Sequence, residues 1–287
     1  MKIDNKVLCA GLRCRALGTS AQDNQITDDN LARYGAERGK LRTTKTILAD
    51  AIKPFRKLRN EARKYFNSVT LPGISEDLRI TTPARLPDLQ KHIADYVTKD
   101  AALLETLKAN YEDAKDTDRL TLGTVFDPGL YPDVDDLGHF FSITMAVCDM
   151  PSGDYARIEG LGAAAQAEMA LNHQQMMEQV GREARNEVRG QMTRLIQHIA
   201  DKLSDPNAVK FHESTFDNLK EYLAMVPDLN ITNDPTLEAM RKEAQEKLNY
   251  SMNVIKDSKF LKAQAAEAAK SILSTFGKIG GGRKLVA

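Results

Sequence analysis

The sequence predicts an α+β protein that is mainly α-helical, with a small β-sheet and an elongated bundle of long, coiled-coil-like helices. Aromatic residues make up only 6% of the 287 residues and Trp is absent, a composition that favours helices packed through aliphatic side chains. Apolar residues recur at helical spacing over long stretches of the second half. Two short segments of the first half instead alternate apolar and polar residues, which is the pattern of β-strands.

The N-terminal segment, residues 6–17, predicts a strand because every second side chain from Leu8 to Ala16 falls on one apolar face. The stretch that follows is rich in Gly, Asp, Asn and Thr, so we expect a loop with a short helical turn near residues 28–34. A second strand is predicted over residues 139–148. We expect it to join the first in one sheet, since a lone strand leaves its backbone groups unpaired.

A helix is expected over residues 43–68, because apolar residues recur there at intervals of three and four. Thr43 or Thr44 is the expected cap of this helix. Pro54 lies inside the pattern and either kinks the helix or divides it. The Pro- and Gly-containing segment after the helix predicts a loop or a short hairpin.

Longer helices are predicted in the rest of the chain. Residues 88–116 carry an apolar stripe behind the expected N-cap Asp88, and residues 161–203 keep one stripe without a proline. Two Asp-Pro pairs each place a capping side chain before a proline at the first helical position, which predicts helices over about 206–226 and 235–276. These pairs are Asp205-Pro206 and Asp234-Pro235.

This order of elements predicts three parts of the chain. We expect an α+β domain over residues 1–155, a long-helix bundle over residues 156–276 and a flexible basic tail over residues 277–287. Long amphipathic helices bury their apolar stripes against each other or against another subunit, so a homo-oligomer or a protein partner is expected.

The chain has the features of a cytoplasmic protein. The N-terminus lacks the apolar run of a signal peptide, and no stretch approaches the length of a membrane span, so no membrane partner is expected. The cysteines Cys9, Cys14 and Cys148 form neither an even set nor a C-x-x-C pair. A reducing compartment is therefore expected.

Charge is segregated along the chain although the formal net charge is zero. Residues 35–66 hold ten Lys or Arg against three acids, and residues 76–136 hold fourteen acids against seven bases. Residues 241–287 are again basic, with ten bases against four acids. Such alternation either holds parts of one protein together or presents a basic face to a partner.

The most basic stretch is KPFRKLRNEARKYF, residues 53–66, with six Lys or Arg against one acid. On a helix these cations form a ridge suited to phosphate groups, while the alternative is that they pair with the acidic residues 88–136 of the same protein. The basic tail is a second candidate for such contacts. The candidate contact residues are Lys53, Arg56, Lys57, Arg59, Arg63, Lys64, Arg283 and Lys284.

The sequence contains no complete metal-binding motif. None of the five histidines has zinc-motif spacing. Asp133 and Asp135 match part of a calcium loop, but Leu137 and Thr144 stand where that loop needs oxygen ligands. The expected role of this segment is a turn, and a weak divalent site of Asp133, Asp135 and Asp136 stays open as an alternative.

Nucleotide-binding and catalytic motifs are also incomplete. The segment GLGAAA at residues 160–165 imitates a dinucleotide fingerprint, but MPSGDYARIE before it is not a strand. The tail sequence GGGRK lacks the order of a Walker A motif, and no G-x-S-x-G elbow is present. We therefore expect a non-enzymatic protein without a cofactor.

The order of these segments resembles a family of uncharacterised phage- and plasmid-borne proteins. The resemblance is carried by NKVLCAGLRCRALG, then LADAIKPFRKLRNEARKYF, then LYPDVDDLGHFFSITMAVCDMP and a run of long helices, over roughly residues 5–250. Members of that family are commonly encoded beside a MoxR-type AAA+ ATPase and a protein with a von Willebrand factor A domain. The resemblance implies a viral or mobile-element accessory factor, with an AAA+ ATPase as a possible partner.

Two functions are therefore expected as alternatives. In the first, the protein is a non-enzymatic helical interaction factor that assembles with itself or with a partner, and the AAA+ ATPase for which it would act as an adaptor is the partner that the resemblance implies. In the second, it binds DNA or RNA through the basic helix and the basic tail.

Overall fold

The computed structural model describes residues 7–154, 160–204, 214–250, 255 and 258–277. It confirms the mainly helical α+β fold with a small sheet. The elements in chain order are β1 (Leu8–Arg15), β2 (Ser20–Gln22), α1 (Asn24–Tyr34), β3 (Thr44–Thr46), α2 (Ala49–Val69), β4 (Leu71–Ser75), β5 (Leu78–Thr81), α3 (Leu86–Ala109), α4 (Tyr111–Leu122), α5 (Leu137–Phe140), β6 (Ser142–Asp149), α6 (Ala163–Ser204), α7 (Ser214–Leu229), α8 (Pro235–Lys247) and α9 (Lys259–Gly277).

The chain divides into two compact units. The basic-helix unit contains residues 11–68 and 87–146, and the long-helix unit contains residues 69–86 together with the described residues up to Ala10 and from Val147 onward. The β4–β5 hairpin therefore belongs to the same unit as the long helices, although the sequence places it in an N-terminal domain that ends near residue 155. The reason is that Leu71 and Ile80 of the hairpin are buried in the core that the long helices form.

The larger sheet has four strands in the order β4-β5-β1-β6. β1 and β6 are neighbours, which confirms the pairing expected between residues 6–17 and 139–148. β1 and β5 run antiparallel, with Leu8 opposite Thr81. The hairpin expected after the basic helix is also confirmed, and Gly73 is needed in it because the carbonyl of Leu78 occupies the space that a Cβ atom would take.

The segment between β1 and α2 contains more regular structure than the loop that was expected. β2 and β3 pair antiparallel, with Ser20 opposite Thr46, and α1 lies between them. Asp23 caps α1, because its carboxylate accepts a hydrogen bond of 2.9 Å from the N–H of Ile26. Thr44 belongs to β3, so the prediction that the basic helix starts at residue 43 is wrong.

α2 instead begins at Ala49, and Leu48 before it accepts the first helical hydrogen bond from the N–H of Ile52. The helix continues through Pro54 to Val69. Pro54 therefore does not divide the helix, although it cannot donate the hydrogen bond that a residue at this position would give to the carbonyl of Asp50.

The helix predicted over residues 88–116 is two helices. α3 begins at Leu86, so Asp88 lies in its first turn and is not the residue before it. α3 ends at Ala109 and α4 begins at Tyr111. The phenol of Tyr111 donates a hydrogen bond of 2.8 Å to the carbonyl of Pro132, and this tertiary contact lies at the break.

α6 confirms the long helix predicted in the second half. Asp234 caps α8 as expected, accepting a hydrogen bond of 2.7 Å from the N–H of Thr236, with Pro235 at the first helical position. The single helix predicted over residues 235–276 is wrong, because α8 ends at Lys247 and α9 begins at Lys259. The Asp205-Pro206 cap and the tail from residue 278 lie outside the described residues, and the coiled-coil-like arrangement stays a prediction.

Each unit has its own apolar core. In the long-helix unit, α6 to α9 bury their stripes against each other and against the β4–β5 hairpin. In the basic-helix unit, the N-terminal half of α2 packs with the end of α3, the start of α4 and the segment before β6. The buried residues of this second core are Ile47, Leu48, Ile52, Phe55, Leu107, Tyr111, Tyr131, Leu137 and Phe141.

Candidate polyanion-binding face of helix α2

Helix α2 is held in the basic-helix unit by an apolar stripe. Phe55 is buried and its ring lies 4.2 Å from that of Phe141, measured between centroids. Ile52, Ala62 and Phe66 are also buried, at the three- and four-residue intervals that place them on the same side of a helix. This stripe determines which side of α2 remains for solvent.

The outward side of α2 is a continuous cationic face. At about 100° of rotation per residue, its five cations fall within a sector roughly 120° wide, which also contains Asn60. All five are exposed. The acids Asp50 and Glu61 of the same helix fall beyond the edge of this sector. The cationic face consists of Lys53, Arg56, Lys57, Arg63 and Lys64.

The arginines of the cationic face are oriented by neutral groups of the same unit. Arg56 donates a hydrogen bond to the hydroxyl of Thr19, and Arg63 donates one of 3.2 Å to the carbonyl of Cys14. Among the described residues, none of the five cations forms an ion pair with a carboxylate. Their charge is therefore available to an external anion.

Arg59 does not belong to this face, so its prediction as a contact residue is wrong. Its side chain is only 3% exposed, and Nη1 lies 2.9 Å from Oδ1 of Asp100 in α3. Nε donates a hydrogen bond of 2.5 Å to the carbonyl of Arg15, and Nη1 donates one of 3.2 Å to the carbonyl of Phe55. The guanidinium therefore links α2 to β1 and α3.

The Arg59–Asp100 ion pair is a structural element of the basic-helix unit. Burial raises the pKa of Asp100, and the attraction of Arg59 opposes that effect without cancelling it. The guanidinium also lies over the rings of Phe55 and Phe141, at 5.4 and 5.5 Å from their centroids. Its contacts are thus all internal to the unit.

These contacts show how far the acidic segment 88–136 pairs with the basic helix. Among the described residues, Asp100 is the one carboxylate of the acidic segment 88–136 that pairs with a cation of α2. It takes the cation that lies on the apolar stripe and leaves the other five exposed. The basic face therefore points outward.

A signal for the burial of Arg59 was present in the sequence. Arg59 follows Phe55 by four residues and precedes Ala62 by three, so it occupies a position of the apolar stripe. Asn60, which the sequence analysis did not select, lies between the cations on the outward side. The other two predicted contact residues, Arg283 and Lys284, lie outside the described residues.

The structure offers no metal site in the part of the chain that it describes. No group of three or more His, Cys, Asp or Glu side chains there is arranged to hold a metal ion. Asp133, Asp135 and Asp136 are exposed and lie at the short helical turn before α5, as the turn interpretation expected. Over the same described residues, none of the helices combines the length and the apolar character needed to span a bilayer.

The chain was also compared with known proteins. No model of a protein family, no curated protein and no solved structure matches it.

Proposed function

We propose that the protein binds nucleic acid through the cationic face of α2. The observation that carries the proposal is the set of five exposed cations on one side of a rigidly packed helix, without carboxylate partners among the described residues. From Lys53 to Lys64 this face extends over about 16 Å at 1.5 Å per residue. That length corresponds to roughly five nucleotide steps of one strand of duplex DNA.

The chemistry of the cationic face predicts binding that depends on the phosphate backbone. Lysine and arginine side chains that neutralise phosphates release counterions, so affinity falls as salt rises. If all five cations contact duplex DNA, the slope of log K against log salt concentration is about −4 to −5. Asn60 is the uncharged polar side chain of the sector, and the contacts proposed for the five cations are with phosphates, which carry no sequence information, so we expect weak dependence on base sequence.

The decisive variant is Lys53→Glu/Lys57→Glu/Lys64→Glu. These three lysines lie on the side of the cationic face that is farthest from the buried stripe, and among the described residues they make no side-chain hydrogen bond or ion pair, so we expect the variant to keep the fold. We expect affinity for a short duplex, measured by fluorescence anisotropy at low salt, to fall more than about tenfold, and the salt slope of residual binding to decrease by about 3.

The matched control is Arg182→Glu/Lys220→Glu/Lys270→Glu. These cations are exposed on helices of the long-helix unit, and the control changes net charge by the same amount. Affinity should stay within about threefold of that of the unmodified protein. The reason is that charges far from the bound nucleic acid are screened by salt and affect affinity less than cations in direct contact with phosphates. Equal losses in both variants, or no binding of duplex or single-stranded nucleic acid by the unmodified protein at low salt, would contradict the proposal.

A second candidate function, assembly with a protein partner, is favoured by the first turns of α6. None of the residues 163–179 is buried, and Leu171 on this segment is 54% exposed. Isolated helical segments are weakly stable in water, so a helix this long usually gains support from packing. A second copy of the chain is the first partner to test, and the sequence resemblance adds an AAA+ ATPase.

The test of the second candidate is the molar mass in solution, measured by light scattering with and without nucleic acid. We expect an assembly larger than one chain, and a shift to a single chain on Leu171→Glu, because a charge opposes burial of this segment. A single chain at high concentration, together with no complex with a co-encoded ATPase, would exclude it. Both candidates assign a binding role without catalysis, and each can fail while the other stands.

A further inference from the structure

Two cysteines that are distant in sequence lie on neighbouring strands of the four-stranded sheet. Cys9 is in β1 and is fully buried, with 0% of its surface exposed. Cys148 is near the end of β6, the edge strand next to β1, and it is exposed. One thiol is thus protected from solvent while its neighbour is open to reagents.

The sulfur atoms of these residues form a cluster with Met150. Sγ of Cys9 lies 3.7 Å from Sδ of Met150, and Cys148 is near enough to Cys9 to contribute to the raised pKa of the Cys9 thiol. Cys148 and Met150 are two residues apart, so an extended backbone directs both side chains to the same face of the sheet. From the contact of Met150 with Cys9 we infer that Cys148 is on the face that Cys9 occupies.

We propose that Cys9 and Cys148 form a reversible disulfide across strands β1 and β6 when the protein meets a two-electron oxidant such as hydrogen peroxide. In a reducing compartment both residues are thiols, and disulfides there are typically transient and responsive to oxidant. The bond would tie the N-terminal strand covalently to the edge strand of the sheet. This inference is independent of the proposed nucleic-acid binding.

The reaction has two steps. In the first, exposed Cys148 loses its thiol proton to solvent and the thiolate attacks one oxygen of hydrogen peroxide. The O–O bond breaks and gives a sulfenic acid and hydroxide, and the hydroxide takes up the released proton to form water. In the second, the sulfur of Cys9 attacks the sulfenic sulfur, the S–O bond breaks, and a second water leaves with the proton of the Cys9 thiol. Two cysteines lose two electrons in total and the peroxide is reduced to water. A thiol reductant reverses the bond by exchange.

The environment of Cys9 determines which step is slow. Burial, followed by the influence of Cys148, raises the pKa of Cys9 to about 11. The thiolate is the attacking form, so at neutral pH only a small fraction of Cys9 can react. Below pH 11, each rise of one pH unit increases the thiolate fraction of Cys9 about tenfold. Closure of the disulfide should therefore become about tenfold faster for each pH unit by which the pH is raised toward 11.

The experiment uses the full chain with Cys14→Ser, so that only these two cysteines remain. The protein is treated with hydrogen peroxide at several pH values, quenched by alkylation, and analysed by intact mass spectrometry and tryptic mapping. We expect a single chain that has lost two hydrogen atoms. The map should show peptide VLCAGLR, which contains Cys9, joined to the peptide from Leu120 to Arg157, which contains Cys148.

The Cys9→Ser variant tests the order of the steps. It should accumulate a sulfenic acid at Cys148 that a dimedone probe captures, while the Cys148→Ser variant should leave Cys9 unmodified under the same treatment. Oxidation of Cys148 to sulfinic acid without a Cys9–Cys148 bond at any pH would overturn the proposal. A Cys148–Cys148 bond between two chains as the main product would also overturn it.

Discussion

Helices α2 and α6 show similar apolar periodicity in the sequence, but they use it differently in the structure. α2 is buried through its apolar stripe from Ile52 to Phe66, and its opposite side is a cationic face. α6 buries its stripe only from Val180 onward, and its first four turns contain no buried residue. Apolar periodicity therefore identifies the side of a helix that is able to pack. Whether that side is buried depends on which other elements the fold places next to it.

The same contrast appears within single residue types. Arg59 and Arg63 lie one turn apart in α2, yet Arg59 is buried against Asp100 while Arg63 is exposed. Met169 and Met192 both belong to the predicted stripe of α6, yet Met169 is 36% exposed and Met192 is fully buried. Substitutions at these positions test whether the contribution of a side chain to the free energy of unfolding follows its burial in the structure or its place in the periodic pattern of the sequence.

The largest effect is expected for Arg59→Ala. Removing the guanidinium leaves Asp100 buried without its partner, so the free energy of unfolding should fall by about 3–5 kcal/mol in urea denaturation. Lys57→Ala on the cationic face is the control and should change it by less than about 0.5 kcal/mol. The double variant Arg59→Met/Asp100→Leu should recover most of the loss, because no uncompensated charge remains. Equal effects of Arg59→Ala and Lys57→Ala would show that the pair has no structural role.

Met192→Ala should have a comparable effect in the long-helix unit. The side chain is fully buried among the long helices, so its truncation removes apolar contacts and leaves a cavity. We expect a loss of about 2–4 kcal/mol in the free energy of unfolding, measured by urea denaturation. A loss below about 1 kcal/mol would mean that α6 is not packed at this position.

A smaller, pH-dependent effect is expected at Asp234. Burial acts to raise the pKa of this carboxyl, but hydrogen bonds from Thr236 and Arg185 outweigh burial and leave the pKa lowered. A lowered pKa means that the charged carboxylate stabilises the folded state above its ordinary pKa of 3.8, and that this contribution is lost as the pH falls through the lowered value. Asp234→Ala should cost about 1–2 kcal/mol at neutral pH.

The measurement for Asp234 is thermal or urea unfolding of the unmodified protein and of Asp234→Asn across a series of pH values. The asparagine keeps a capping oxygen and removes the charge. The difference in unfolding free energy between the two proteins should shrink as the pH falls below 3.8. A difference that stays constant with pH would mean that the charge contributes nothing.

The smallest effect is expected for Met169→Ala, the counterpart of Met192→Ala on the same helix. Because Met169 lies in the segment of α6 without buried residues, the free energy of unfolding at low protein concentration should change by less than about 0.5 kcal/mol. A loss that appears only at high protein concentration would indicate that a second copy covers this segment. A large loss at every concentration would contradict the exposure of Met169.

Features that depend on neighbouring residues in the sequence were predicted well. Alternation identified β1 and β6, the proline and glycine cluster identified the β4–β5 hairpin, and the Asp234-Pro235 pair identified the start of α8. In each case the local backbone conformation depends on a few residues that are adjacent in sequence, so the sequence pattern is sufficient to predict it.

Features that depend on distant contacts were missed. α2 begins at Ala49 and not at the predicted residue 43, because Thr44 pairs with Gln22 in a second sheet. This pairing joins residues that are far apart in sequence. The break between α3 and α4 lies where Tyr111 reaches the carbonyl of Pro132. The candidate site changed for the same reason, since only the position of Asp100 shows that Arg59 is internal.

The sequence by itself determined the fold class, the amphipathic character of α2 and the identity of the cations on its polar side, because these follow from composition and helical period. The tertiary structure decided which of those cations face solvent, which part of α6 is packed, and that Cys9 and Cys148 lie on neighbouring strands. The physical reason is that a helical or strand period specifies a direction for each side chain, whereas burial, ion pairing and sulfur contact require a second segment brought close by the fold.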